Sequence, residues 1–284
     1  MSFWYNLIDL IFPFEWAKFT FMKNALLGIL LVTPMFGLLG TMVVNNKMAF
    51  FSDALGHSAL TGIALGIIWK IGNPLWSMLF FSILLTFAII QVKNAGTSSM
   101  DTIIGVFSST AVALGIVILS YKGGFAKYAG YLIGDLLSIT PQDLVLLVFT
   151  FIGVIMLWIG AFNKIFLVSL NPSLAKSRGV SVRFWEYVFA LVVAVIVTLS
   201  IQWVGTMIIS SMLVLPAAAS RNIAKNIRQY TFLSVFIALF SGLSGLILSY
   251  FLGVASGATI VLILGVFFAL TYVIKLKGYW HSGQ

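Results

Sequence analysis

The sequence predicts an all-α, polytopic membrane protein: eight or nine transmembrane helices, joined by short helices at the membrane interface and between spans. Three observations carry this. First, 61% of the 284 residues are hydrophobic and 8% are charged, where a soluble domain has about 25% charged residues. Second, the apolar residues fall in runs close to the roughly 20 residues a bilayer-spanning helix needs. Third, the net charge of +9 sits in short basic loops between those runs, as expected for cytoplasmic connections. Nothing in the chain resembles a nucleic-acid module. No cysteine is present, so disulfides and thiolate metal sites are excluded.

Residues 1–20 mix Trp4, Leu7, Leu10, Phe14 and Trp16 with Asp9, Glu15 and Lys18 around Pro13. That blend suits the membrane interface better than a crossing, and no cleavable signal peptide is expected. The first span runs about 25–44, with Gly28, Pro34, Gly37 and Gly40 as packing notches. A second apolar segment, 48–69, follows the loop Asn45-Asn46-Lys47, and a third covers 75–92. Asp101 opens the fourth, about 101–120, where the helix macrodipole favours an acid.

Residues 121–141 do not read as a crossing, and 131–137 within them reads as a short helix. Thr140 as cap, Pro141 at the first helical position and Asp143 three residues after the cap then start the fifth span. That spacing makes Asp143 structural. The most polar loop, 163–183, contains Asn171-Pro172-Ser173-Leu174-Ala175-Lys176-Ser177-Arg178-Gly179. Asn as cap, Pro at the first position and Gly just past the end bound a short helix. It is either a docking element for a cytoplasmic partner or a simple basic linker. Spans at about 184–201, 231–251 and 255–274 follow; 205–219 is apolar but short, which leaves the count at eight or nine. Residues 276–284 read as a polar tail. Basic residues place Lys47, Lys93, 163–183, 221–228 and Lys275/Lys277 inside, and Lys70, Lys122 and Lys127 outside. The N-terminus is then outside.

Within the second span lie Asp53 and His57. Their i, i+4 spacing puts both side chains on one helix face. A carboxylate and an imidazole together make a two-ligand fragment suited to Zn²⁺ or another first-row divalent ion. Ionisable groups inside a membrane segment are costly and point to function. The alternative is that Asp53 caps the helix and His57 packs. His57 is the only histidine of the membrane part, which leaves too few good ligands in one chain to expect a closed four-ligand zinc site. No Gly-x-x-x-x-Gly-Lys-Ser/Thr and no His-Glu-x-x-His pattern occurs.

The run Asp53-Ala54-Leu55-Gly56-His57-Ser58-Ala59-Leu60-Thr61-Gly62 resembles the signature of the zinc/manganese ABC importer permeases. Further segments are similar to that family in family order: Asp101–Gly105, Tyr131–Leu144, Val204–Ala218 and Ser256–Val261. The resemblance covers about 20–275. It departs at Gly56, where the family more often has Ser or Ala, and at Asn171, where Asp is frequent; Asn and Asp both cap helices.

The resemblance implies a single transmembrane permease domain, 1–284, in a multi-pass bacterial plasma-membrane protein. In it, 163–183 forms the cytoplasmic coupling loop. Residues Asn171, Pro172, Ala175, Lys176, Arg178 and Gly179 would belong to a coupling helix that docks the ATPase. The implied partners are a second permease copy, two cytoplasmic ATPase subunits and an extracellular metal-binding delivery protein. No cofactor would be bound permanently: Zn or Mn is cargo, and ATP acts only through the partner. Asp53 and His57 of each copy would face the pathway, with Asp101 and Asp135 as further pathway candidates. The 131–144 stretch favours zinc. Two other readings remain open, a proton-coupled secondary metal carrier and, least favoured, a membrane hydrolase with a metal-bound water.

Overall fold

The computed structural model describes residues 2–11, 14–96, 98–121 and 136–282. Among them the regular structure is entirely helical. The helices are α1 (Ser2–Ile11), α2 (Thr20–Asn45), α3 (Phe51–Ile68), α4 (Pro74–Asn94), α5 (Met100–Tyr121), α6 (Pro141–Leu170), α7 (Pro172–Ser177), α8 (Val182–Val204), α9 (Thr206–Ile223), α10 (Ile227–Leu252) and α11 (Ser256–Ser282). Eight of these described helices, α2 to α6, α8, α10 and α11, are long and apolar enough to cross a membrane. The protein is therefore all-α and polytopic. The apolar part of α9, Ile208–Ile223, is shorter, although its 18 residues rise about 27 Å at 1.5 Å each.

Helix ends follow local chemistry. Asn73 accepts from Leu75 N–H at 3.0 Å with Pro74 at the first position. Thr140 and Asp143 form the reciprocal cap read from the sequence. The Asp143 carboxylate accepts from Thr140 N–H at 2.9 Å, and Thr140 Oγ1 accepts from Asp143 N–H at 3.3 Å. Both ends of the α3 segment are set by a lysine in the left-handed region, Lys47 (φ 55) before it and Lys70 (φ 54) after it. At each, the following N–H reaches back into the ending helix: Met48 to Val43 O and Ile71 to Gly66 O, both at 2.9 Å. These are Schellman closures, with lysine where glycine is usual.

Two boundaries differ from the sequence reading. The loop expected at 163–183 is helical as far as Leu170. Nothing in Asn163–Leu170 breaks a helix; Asn171 before Pro172 does, because proline disfavours the helical region for its predecessor. The tail expected at 276–284 continues α11 through Ser282, since no proline or glycine pair interrupts it. The N-terminal segment forms a short helix, α1, in keeping with the short helices expected beside the spans. Most of the short helix expected at 131–137 lies outside the described residues; Leu136–Ser138 forms one 3₁₀ turn.

The chain folds into two compact units. One comprises residues 1–41, 135–158 and 211–284. There α1 is fastened to α2: Lys23 pairs with Asp9 at 2.7 Å, and Tyr5 Oη donates to Asn24 Oδ1 at 2.6 Å. Asn24 Nδ2 in turn donates to Ile139 O at 3.0 Å. Lys23, almost wholly buried, thus has the partner a buried charge requires. Gly37 faces the backbone of Val235, and Ser234 Oγ donates to Gly37 O at 2.7 Å.

The other unit comprises residues 42–134 and 159–210. Its centre is α3, which packs against α4, α5 and α8. A Cβ on Gly62 would stand 2.6 Å from Met78 Cα of α4, so the glycine permits the approach. On another side Thr61 Oγ1 donates to Ala111 O of α5. α3 is the most enclosed of the eight candidate spans, 72% buried, against 22% for α6 and α11. Phe149, Met156 and Ile159 of α6 and Leu262 and Val266 of α11 are exposed apolar side chains, each suited to lipid.

Candidate functional site

α3 has a mean composition of small and aliphatic residues: Ala54, Gly56, Ser58, Ala59, Gly62, Ala64 and Gly66 let three helices close around it. From Phe51 to Ala64 every residue is buried except Asp53 and His57. A sealed helix with one polar opening is the central feature of the site. Asp53 Oδ1 and His57 Nε2 lie 3.5 Å apart across one turn, with 45% and 46% of their side chains exposed.

The cap reading of Asp53 does not hold. Phe50 occupies the N-cap without a side-chain bond, and Asp53 is the third residue of the helix. The packing reading of His57 does not hold either, since its ring is exposed. One oxygen and one nitrogen donor, adjacent and accessible, are left on the open face. Together they can engage a divalent cation while leaving most of its coordination sphere to other donors. Among the described residues no group of three or more His, Cys, Asp or Glu gathers to hold a metal.

Two residues from the start of α9 complete the surroundings. Ser210 Oγ donates to Asp53 Oδ1 at 3.4 Å. Thr206 packs against Gly56: a Cβ there would stand 2.9 Å from Thr206 Cβ. The threonine thus occupies room that a Ser or Ala side chain at 56 would need. Sequence reading missed both, although Thr206 and Ser210 are themselves an i, i+4 hydroxyl pair in an apolar run directly after Gly205.

The remaining candidates separate. Asp101 is exposed in the first turn of α5, where Ser99 Oγ accepts from Thr102 N–H at 3.3 Å; it does not join Asp53 and His57. Asp135 lies outside the described residues. The Asn171–Gly179 segment is formed as its sequence predicts. Asn171 Oδ1 accepts from Leu174 N–H at 3.0 Å, and Gly179 has φ +73. Val180 N–H reaches Ala175 O at 2.9 Å, closing the helix. Of α7, only Ala175 is buried; Pro172, Leu174, Lys176 and the capping Arg178 are exposed.

Comparison with known proteins decides the family. The model described as the ABC 3 transport family matches residues 18–275. The chain belongs to the ABC 3 transport family. Among relatives of this family member, the "High-affinity zinc uptake system membrane protein ZnuB" of Haemophilus influenzae is 31% identical over 234 residues, covering 82% of this chain and 89% of the relative. The "Manganese import system permease protein ScaB" of Streptococcus parasanguinis is 28% identical over 260 residues, covering 92% of each. Among solved structures, "PsaBC from Streptococcus pneumoniae in complex with Fab" matches with a TM-score of 0.78 and 26% identity. That match covers 96% of the ABC 3 family chain described here and 95% of the other.

Proposed function

We propose that this chain is the membrane-spanning permease subunit of an ATP-driven importer of a divalent transition-metal ion, residues 1–284 acting as one permease domain. The observation that carries the reading is the polar opening at Asp53 and His57 on a membrane helix whose other residues from Phe51 to Ala64 are all buried. Names of the relatives support the cargo class: one is a zinc uptake protein and another a manganese import permease.

Two copies, each contributing Asp53 and His57, would offer up to two carboxylates and two imidazoles, a donor set that suits Zn²⁺. Two donors per chain bind loosely enough to release, as a pathway must. A second reading, Mn²⁺, is favoured by one observation: Ser210 places a hard hydroxyl oxygen beside Asp53.

The chain has no P-loop pattern, so ATP hydrolysis falls to separate cytoplasmic subunits, two per complex. They dock on the exposed Asn171–Gly179 helix, the coupling helix of this reading. An extracellular metal-binding protein delivers the ion to the opposite side. No resident cofactor is required; the metal is cargo. Asp101 and Asp135 remain candidates for the ion's route beyond the Asp53/His57 opening.

Uptake of Zn²⁺ and Mn²⁺ into liposomes holding the permease, its ATPase and its delivery protein tests this. ATP-dependent uptake that disappears in His57→Ala, with assembly retained, is expected. Uptake without ATP would return the reading to a secondary carrier. Replacing Lys176 and Arg178 together by Glu should impair ATPase docking or metal-stimulated ATP hydrolysis; unchanged hydrolysis would remove the coupling-helix assignment.

A further inference from the structure

Three consecutive residues at the start of α8 each reach a neighbouring helix. Trp185 carries Lys164 of α6 over its ring at 5.1 Å. Glu186 pairs with Lys93 of α4, Oε1 to Nζ at 3.2 Å. Tyr187 Oη donates to Gln91 Oε1 of α4 at 2.9 Å, and its ring lies 5.4 Å from that of Phe87. All of these belong to the unit built around α3.

The ion pair is the partly buried member of this group, with Lys93 28% and Glu186 16% exposed. Beside it is a cavity with room for about one water molecule, lined by Asn46, Met48, Ile90, Trp185 and Phe189 as well as the pair. Asn46 and Met48 belong to the Schellman turn that leads into α3, five residues before Asp53 in the case of Met48. One end of the cluster therefore adjoins the exposed helix α7, four residues upstream of α8, and the other adjoins the entry to the helix carrying Asp53 and His57.

The chain between α7 and α8, Arg178 to Ser181, is short and closed by a Schellman motif. α7 itself is anchored by little more than Ala175. A displacement of α7 is thus either absorbed in those four residues or handed to the first turns of α8. The ties made by Trp185, Glu186 and Tyr187 oppose absorption, because α8 cannot move there without α4 and α6. Lys93 also lies in the last turn of α4, where the macrodipole favours its charge.

We infer that Glu186, held by Lys93, is a positioning residue that transmits motion of the Asn171–Gly179 helix to α4 and the Asp53/His57 helix. The inference rests on the importer reading above. The pair moves no charge and touches no ion; it makes the coupling helix and the metal-bearing bundle move as one body.

The test is the number of metal ions taken up per ATP hydrolysed by the complete reconstituted complex. Wild type, Lys93→Met, Glu186→Gln, the double variant and Lys93→Arg are compared, with assembly checked for each. Each single neutralisation should lower the ratio at least about 5-fold while ATP hydrolysis persists. The double variant should fall no further than either single one, since both residues act through one contact. It should also assemble even if a single variant leaving one charge unpaired does not. Lys93→Arg, which keeps the pair, should stay within about twofold of wild type. An unchanged ratio in Glu186→Gln, or losses that multiply in the double variant, would overturn the inference. A wild-type complex that hydrolyses ATP without taking up metal would instead overturn the importer reading, and this inference with it.

Discussion

Asp53 and His57 keep nearly half of their side-chain surface open while the residues around them are sealed. Their pairing was legible in the sequence, because i, i+4 spacing is a property of the helix alone. Their openness was not, because it depends on what α4, α5 and α8 leave uncovered. Ser210 was invisible for a related reason: it comes from 157 residues further along the chain. Asp53→Asn keeps the shape and removes the charge, so metal uptake by the complex should drop at least about tenfold with assembly intact. Ser210→Ala removes one long hydrogen bond to a half-exposed carboxylate, worth about 0.5–1 kcal/mol. Half-saturation for metal uptake should rise about two- to fivefold; no rise would show that Ser210 does not orient Asp53.

At the scale of elements, glycines serve two purposes that substitution separates. Gly62 lets α4 approach α3 backbone to backbone, whereas Gly265 has nothing within 4 Å of its missing Cβ. Gly62→Ala should therefore destabilise the protein by about 1–3 kcal/mol through overpacking. Gly265→Ala should be neutral or stabilising, as alanine is the better helix former. Thermal unfolding in detergent of the two variants decides the matter. Lys70 is a lysine holding a left-handed conformation that glycine adopts freely. Lys70→Gly should raise stability by up to about 1 kcal/mol; a decrease would mean the lysine side chain makes a compensating contact. The caps at Thr140 and Asn171 were readable residue by residue, since a cap is local chemistry. The missed continuation of α6 to Leu170 shows the limit of polarity as a guide: Asn163 and Lys164 are polar, yet neither ends a helix, and Lys164 finds Trp185.

For the whole molecule the open question posed by the sequence is parity. With α9 as a crossing, the chain traverses the bilayer nine times. The basic group Arg221, Lys225 and Arg228 then falls on the same side as Lys47, Lys93 and the Asn171–Gly179 helix. Without that crossing the group would lie opposite. Charge bias and the roughly 27 Å rise of α9 both favour the crossing. The native chain has no cysteine, so single replacements report without background. Gly72→Cys should react with an impermeant maleimide on intact cells, and Lys225→Cys only after permeabilisation. Labelling of Lys225→Cys from outside would mean that α9 does not span.

The sequence by itself determined the membrane class, most of the spans, the caps and the Asp53/His57 pair. Each of these depends on composition, periodicity or neighbours within a few residues. Tertiary structure alone decided that α3 is the centre of its unit, that between Phe51 and Ala64 only Asp53 and His57 stay open, that Ser210 and Thr206 lie beside them, and that Lys93 pairs with Glu186. Those relations join residues far apart in the chain. In a protein whose spans are all apolar, hydropathy does not distinguish the helix that is enclosed from the helix that faces lipid; only the packing of small residues against neighbouring backbones does.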